Sequence, residues 1–409
     1  MKRRFLKPAV NLITALIPVR KWRRAVRDRL TWRLELLLEG RAWDRLKHEI
    51  GISKKPFSVL VVGHDLSVTG APMALLMEVK VLLKNGASVL AAAGVGGGLE
   101  NELKKLGAPV LVSPAFLHHG PSLRRLARGF DLVVLNSLLC GNWVTALPDH
   151  LPLMWYIHEG AGLAGHLQAR PELGRALAQA RTIYVVSEHA ASFLPDGVRA
   201  EVLHLGVPEV RVERPAEVAG GRLRLATVGT VMPNKGQHLV LEALAGLDEN
   251  RLAELEVHFI GEGRSGEYYE RLQALVRPGW PVTFEGEISD QDRKWEVYNS
   301  FDLFCVPSLD ETCSLVLLEA CMLGKPFIIS DRVGGRYMLE EGANGLMFPA
   351  GDAAGLGRCL RWVLDHRGEL SEMGRRARRA HAAKSSWDRF EENFLAAVRS
   401  LTTRPGRIR

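Results

Sequence analysis

The chain has 409 residues, 47% of them hydrophobic and 24% charged. That length exceeds one ordinary core and that balance belongs to folded chains, which excludes a disordered protein and points to two domains. The net charge of +8 is uneven: residues 1–50 hold fourteen Lys/Arg against five Asp/Glu, so they carry +9 and the rest of the chain −1. A nucleic-acid groove would spread its positive charge over the folded domains, so no nucleic-acid partner is expected.

No apolar run reaches the ~18–20 residues that span a bilayer. Residues 9–19 follow a basic start, but only the basic run RKWRR comes after them, with no small-residue cleavage site, so no export signal is read. Trp22, Trp32 and Trp43 stand among arginines, which suits an interfacial anchor on an anionic membrane surface. A helical extension packed on the first domain is the equally weighted alternative. The five cysteines, Cys140, Cys305, Cys313, Cys321 and Cys359, are odd in number with no CxxC pair. Reduced thiols in the cytoplasm fit them better than a disulfide framework or a zinc site.

From Pro56 onward short apolar runs alternate with longer amphipathic ones. Residues 58–63 read as a buried strand, and a helix from Ala71 to Lys84 follows, closed by Asn85-Gly86. Strands are expected at 88–94, 109–113, 131–137 and 152–158, with a helix ending at Gly107 among them. The rhythm restarts with strand-like runs at 224–229, 255–261, 281–286, 302–308 and 326–330. Near-continuous apolar strands separated by helices indicate parallel sheets covered on both faces, here two doubly wound units. The polar, Pro- and Gly-rich stretch 206–222 reads as the linker between them, and residues 351–400 as helical.

Four stretches carry the chemistry. In PSLDETCSLVLLEACMLGKP (307–326) a strand ends at Pro307, a turn follows, and a helix stops at Gly324. Ser314 is placed to cap that helix, whose first amides suit a phosphate or a sugar hydroxyl. Glu319 sits in an otherwise apolar helix, and a buried carboxylate needs a partner. Sugar hydroxyls suit it; so would protein groups, with Glu311 then a mere cap or ion-pair member. In VGTVMPNKGQHLVLEAL (228–244) the strand ends at Gly229, and Thr230 and Lys235 lie on a loop where a lysine neutralises a diphosphate; a surface lysine at a helix start is the plain alternative. In HDLSVTGAPMALLMEV (64–79) Gly70 precedes a helix, where the backbone can approach a ligand. In PLMWYIHEG His158 and Glu159 end a buried strand, where α/β active sites form. GEGRSG (261–266) spells the dinucleotide fingerprint, but it falls inside the second unit and reads as a loop lining the pocket rather than a nicotinamide site.

These motifs resemble glycosyltransferase family 4, the retaining group 1 glycosyltransferases, and in particular bacterial surface-polysaccharide transferases. Glu311 and Glu319 reproduce the family's E-x7-E, and Pro-Ser (307–308), Leu-Glu-Ala (318–320) and Gly-Lys-Pro (324–326) match around them. The resemblance implies the GT-B fold: two Rossmann-like doubly wound α/β domains facing a cleft, behind a basic helical extension. The expected boundaries are 1–55 for the extension, 56–208 for the acceptor domain, 209–385 for the donor domain, and 386–409 for a C-terminal helix crossing back. By resemblance His158 and Glu311 are catalytic, Glu319 binds the donor ribose, and Glu311 the donor sugar. Gly70, Gly229, Thr230, Lys235 and the backbone of Thr312, Cys313, Ser314 and Leu315 contact the donor.

Three departures stand out. Thr312, Cys313 and Ser314 replace the family's Gly-Phe-Gly. Thr230 and Asn234 stand where many relatives carry arginine, with Arg264 and Arg336 as substitute cations. Tyr337 and Met338 replace an acidic residue after the glycine-rich stretch 333–335. The implied activity is a hexosyltransferase that moves a sugar from a nucleotide-diphosphate sugar to a glycan or lipid-linked acceptor, in bacterial cell-envelope polysaccharide synthesis. It needs no cofactor beyond that co-substrate and no metal. The cytoplasm is the expected location, peripheral on the inner face of the membrane through residues 1–50. A nucleotide-sugar epimerase, a phosphorylase and a catalytically weak binding subunit are the alternatives.

Overall fold

The computed structural model describes residues 40–41, 43–48, 57–117, 120–210, 212 and 221–402. Its contacts divide the chain into two compact units. One takes the chain to Tyr156, with His166–Ile183 and the end from Ala397; the other takes Ile157–Gly165 and Tyr184–Ala396.

The first sheet has seven strands: β1 (Ser58–Gly63), β2 (Ser88–Ala93), β3 (Val110–Val112), β4 (Leu132–Asn136), β5 (Leu153–Ile157), β6 (Ile183–Val185) and β7 (Glu201–Val202). Their order is β3-β2-β1-β4-β5-β6-β7, and β1 pairs in parallel with both β2 and β4. Every residue of β1, β2 and β4 is buried. A parallel strand covered on both faces must be apolar at consecutive positions, which is why these runs do not alternate. Each aliphatic side chain buried this way contributes about 1.5–3 kcal/mol.

The second sheet holds β8 (Leu223–Val228), β9 (Leu255–Ile260), β10 (Val282–Gly286), β11 (Leu303–Val306), β12 (Phe327–Ser330) and β13 (Gly345–Phe348), in the order β10-β9-β8-β11-β12-β13. All five pairings are parallel. Both orders are those of a doubly wound Rossmann sheet, in which the winding reverses beside the first strand. The core of the second unit joins Leu225, Val257 and Phe259 of the sheet to Leu241 and Leu244 beneath it and to Leu356, Leu360 and Met373 of the C-terminal helices. Those helices are Ala353–Asp365 and Leu370–Lys384, and helix Trp387–Leu401 follows them.

Ten strand positions were legible as apolar runs. β6, β7 and β13 were not: they have three, two and four residues, and β7 is exposed. Strands this short carry no periodic signal and exist because a neighbouring strand offers a ladder.

In the N-terminal extension, residues 40–41 and 43–48 are helical. Trp43 is buried, its ring 5.0 Å from that of Phe116. The Lys47 ammonium donates to the carbonyls of Arg125 at 2.9 Å and Arg128 at 3.2 Å, at the C-terminal end of helix Gly120–Ala127, where a cation complements the exposed carbonyls. Trp43 therefore packs on the first unit; Trp22 and Trp32 lie outside the described residues. Among the described residues no helix is long and apolar enough to cross a membrane.

Candidate active site

In the second unit the winding reverses between β8 and β11. The loops that leave the carboxyl ends of these two strands therefore lie side by side, although some 75 residues separate them in sequence. One carries Gly229, Thr230 and Lys235; the other carries residues 307–314.

Their approach is close enough to exclude a side chain. Gly236 has φ +69°, and a Cβ there would stand 2.1 Å from the carbonyl oxygen of Pro307. The Leu309 amide donates to the Asn234 carbonyl at 2.8 Å, and the Asn234 side chain donates to the Asp310 carbonyl at 2.7 Å. Asn234 thus staples the two loops. Lys235 places its ammonium 2.9 Å from one oxygen of Glu311, and the Ser308 hydroxyl donates to the other oxygen at 2.6 Å. The Glu311 backbone is held too: its amide donates to Arg332 and its carbonyl accepts from Gly334 at 2.7 Å. Glu311 is therefore a fixed carboxylate with a fixed counter-charge, not a mobile surface acid.

Ser314 is fully buried, and its hydroxyl accepts from the Leu317 amide at 3.3 Å, capping helix Leu315–Met322. The other first-turn amides have no intrahelical acceptor. They follow the loop that carries Glu311, the partner of Lys235. Burial, with Glu311 alongside, pushes the Cys313 thiol up to about 12, so in the seated loop it stays protonated and reacts slowly. Between the two glutamates only residues 315–319 are helical, so a loop and one helical turn separate them.

Glu319 has a partner within the protein. The Lys294 ammonium lies 2.6 Å from Glu319 Oε1, over the ring of Trp295 at 4.5 Å and that of Tyr298 at 5.1 Å. Burial holds the Glu319 carboxyl above the usual range, and Lys294 offsets part of that shift. Lys294 was missed in the sequence, because a lysine on the amphipathic helix Gln291–Asn299 looks like any solvated one. The chain's Asp-x-Asp, Asp290–Asp292, opens that helix; Asp290 accepts from the Arg293 amide at 2.8 Å and is a cap.

The remaining expected residues fall as follows. The Thr230 carbonyl accepts from Gln237 at 3.0 Å. Gly261, first residue of the fingerprint lookalike, has φ +151°, and its Cβ would stand 2.1 Å from the Gly229 carbonyl oxygen, so that glycine serves loop packing. Arg264 lies over Gly286 and donates to the Phe284 carbonyl at 3.3 Å. His158 directly follows β5 and is 9% exposed. Its carbonyl accepts from the Thr312 hydroxyl at 2.7 Å, and its amide donates to the Glu159 carboxylate at 3.1 Å, which turns Glu159 back on its own loop. Gly70 belongs to the first unit, where it opens helix Gly70–Lys84 behind β1. A Cβ there would meet nothing within 4 Å, so no protein contact demands glycine at that position. In the second unit, Gly229, Thr230, Lys235, Glu311, Thr312, Cys313, Ser314 and Leu315 thus follow β8 or β11, Thr312 bonds the backbone of His158, and Glu319 lies one helical turn further on.

The family model for glycosyl transferases group 1 matches residues 212–380, and that for glycosyl-transferase family 4 matches residues 55–206. The chain belongs to glycosyltransferase family 4. Members of this family are glycosyltransferases of the hexosyltransferase type, and the two doubly wound units are its GT-B fold. A D-inositol 3-phosphate glycosyltransferase of Nocardia farcinica is 29% identical over 66% of this chain and 67% of its own length. The D-rhamnosyltransferase WbpZ of Pseudomonas aeruginosa is 32% identical over 41% of this chain and 42% of its own. The chain thus spans less than half of the second relative. Among solved structures, Anabaena HepE in complex with UDP superposes with a TM-score of 0.72 at 18% identity, over 84% of this chain and all of that one.

Proposed function

We propose that this family 4 glycosyltransferase transfers a sugar, with retention, from a nucleotide-diphosphate sugar to a hydroxyl of a glycan or lipid-linked acceptor. The observation that carries this reading is the Lys235–Glu311 pair, 2.9 Å apart at the β8/β11 switch point beside the capped start of helix Leu315–Met322. In support, HepE has been solved both with UDP and with UDP-glucose.

The donor diphosphate takes Lys235 and the first-turn amides as its positive partners, so its neutralisation calls for no metal. The fixed Glu311 carboxylate accepts from hydroxyls of the donor sugar, and Glu319 serves the ribose. The bond between the anomeric carbon and the diphosphate oxygen breaks while a bond forms to the acceptor oxygen on the same face. The acceptor's proton passes to the departing diphosphate. Charge builds on that leaving group, and a preformed cation stabilises it more than it stabilises the bound donor. The basic N-terminal segment suits a lipid-linked acceptor and a place on the inner face of the cytoplasmic membrane, in cell-envelope polysaccharide synthesis.

Lys235→Ala tests this directly. A screen of nucleotide-sugars by thermal stabilisation identifies the donor, and turnover by the variant then falls by roughly 10²–10³. Near-normal turnover would overturn the assignment. Donor conversion without an acceptor would instead point to an epimerase, and dependence on free phosphate to a phosphorylase.

A further inference from the structure

The loop that carries Glu311 is pinned on both sides of that residue. Asp310 Oδ1 lies 2.8 Å from His189 Nε2, and Asp310 Oδ2 accepts from the Ala161 amide at 3.0 Å. His189 is almost fully buried, at 7% side-chain exposure. Beyond Glu311, the Thr312 hydroxyl donates to the His158 carbonyl at 2.7 Å, and the Thr312 carbonyl accepts from the Ser187 hydroxyl at 2.6 Å. All of these residues belong to the second unit.

Two glycines leave room for this seating. A Cβ at Gly160 would stand 2.7 Å from Asp310 Oδ2 and 2.8 Å from Thr312 Cγ2. One at Gly334 would stand 1.8 Å from the Thr312 carbonyl oxygen. Two polar side chains, four hydrogen bonds and two missing Cβ atoms converge on three consecutive residues. The Thr312 hydroxyl occupies a position where the family resemblance leads one to expect glycine, which has nothing to donate.

We propose that Asp310 and Thr312 are positioning residues that latch the Glu311 loop to residues 158–161, so that Glu311 and His158 keep one fixed relative geometry. Its catalytic consequence rests on the function proposed above; the latch itself does not. Neither side chain needs to touch the substrate. Both act through the residue between them, and a displacement of about 1 Å at such a group costs about a hundredfold in rate.

Cys313, half-buried next to the latch, reports on the seating without any substrate. Alkylation of Cys313, located by mass spectrometry, is measured in His189→Ala, Thr312→Val and Gly160→Ala. The first two each remove one latch bond; the third removes none and intrudes by size. Labelling is expected to rise about tenfold or more, the effect of one lost hydrogen bond to a charged or buried partner. Cys359, remote in sequence and also half-buried, keeps its wild-type rate. His189→Gln and Thr312→Ser restore slow labelling. Thr312→Val preserves shape, which guards against His189→Ala failing to fold.

With the donor that the wild type accepts, the same variants lose about tenfold or more in kcat while the donor KM holds, because Lys235 and Glu319 are untouched. Wild-type Cys313 labelling in all three variants would overturn the latch, as would an equal loss carried wholly in KM. A wild-type protein that turns over no nucleotide-sugar would overturn the proposed function instead, and the labelling would still decide the latch.

Discussion

Glu78 lies within helix Gly70–Lys84, fully buried, and neither of its carboxylate oxygens has a hydrogen-bond partner. Burial holds its carboxyl well above the usual range, so the folded chain keeps the proton. The unfolded chain gives that proton up near the ordinary value of 4.5. The folded state therefore binds more protons above that pH, and the stability it confers is complete below 4.5 and declines as pH rises toward the raised value. Glu78→Met should raise stability at pH 8 by roughly 1–3 kcal/mol, and flatten the decline between pH 5 and 8 in urea unfolding. Parallel pH profiles for the two proteins would show that Glu78 is not held neutral. Lys294 and Glu319 pose the opposite case, a buried carboxylate with its charge met. Lys294→Met alone should cost about 3–5 kcal/mol, because it strands Glu319, and Lys294→Met/Glu319→Gln should recover most of that loss. A double-mutant cycle with no coupling would separate the two residues. Of this scale the sequence showed Glu319 and Glu311, whose spacing is distinctive, but neither Lys294 nor His189, whose partners come from other segments.

Between elements, the decisive feature is how closely the loops after β8 and β11 approach. Gly236 and Gly342 have nearly the same φ, +69° and +70°, but of the two only Gly236 faces a neighbour, the Pro307 carbonyl; a Cβ at Gly342 meets nothing within 4 Å. Gly342→Ala should cost only the left-handed backbone penalty, about 1–2 kcal/mol, and leave unchanged the binding of whichever nucleotide-sugar stabilises the wild type. Gly236→Ala adds a collision with backbone that cannot move aside, and should abolish the binding of that nucleotide-sugar by calorimetry. Similar binding in the two variants would mean that the loop contact does not shape the site. The Lys-Gly signature was readable as a loop before a helix. That its glycine exists to admit the carbonyl of a residue some 70 positions later was not.

At the scale of the whole molecule, the charge asymmetry makes its own prediction. Residues 1–50 carry +9 while the remainder is nearly neutral. Basic residues near an anionic surface contribute about 1 kcal/mol each, screened over a Debye length. The protein should therefore sediment with anionic vesicles at low salt, and removal of residues 1–50 should release it; equal binding without them would rule the segment out. The packing of Trp43 and Lys47 on the first unit assigns the end of that segment to the fold, which leaves its first forty residues as the part to test.

By itself the sequence determined the two doubly wound units, the places of their long strands and the stretches that carry chemistry. These are local properties: a strand buried on both faces must be apolar throughout, and a helix must begin and end with residues that satisfy its free backbone groups. Only the tertiary structure decided who meets whom. The strand order brings the loops after β8 and β11 together, and with them Lys235 and Glu311. Lys294 meets Glu319 from helix Gln291–Asn299, and His189 meets Asp310 from helix Glu188–Ala191. Partnership across a switch point depends on the winding of the whole sheet, and no spacing along the chain encodes it.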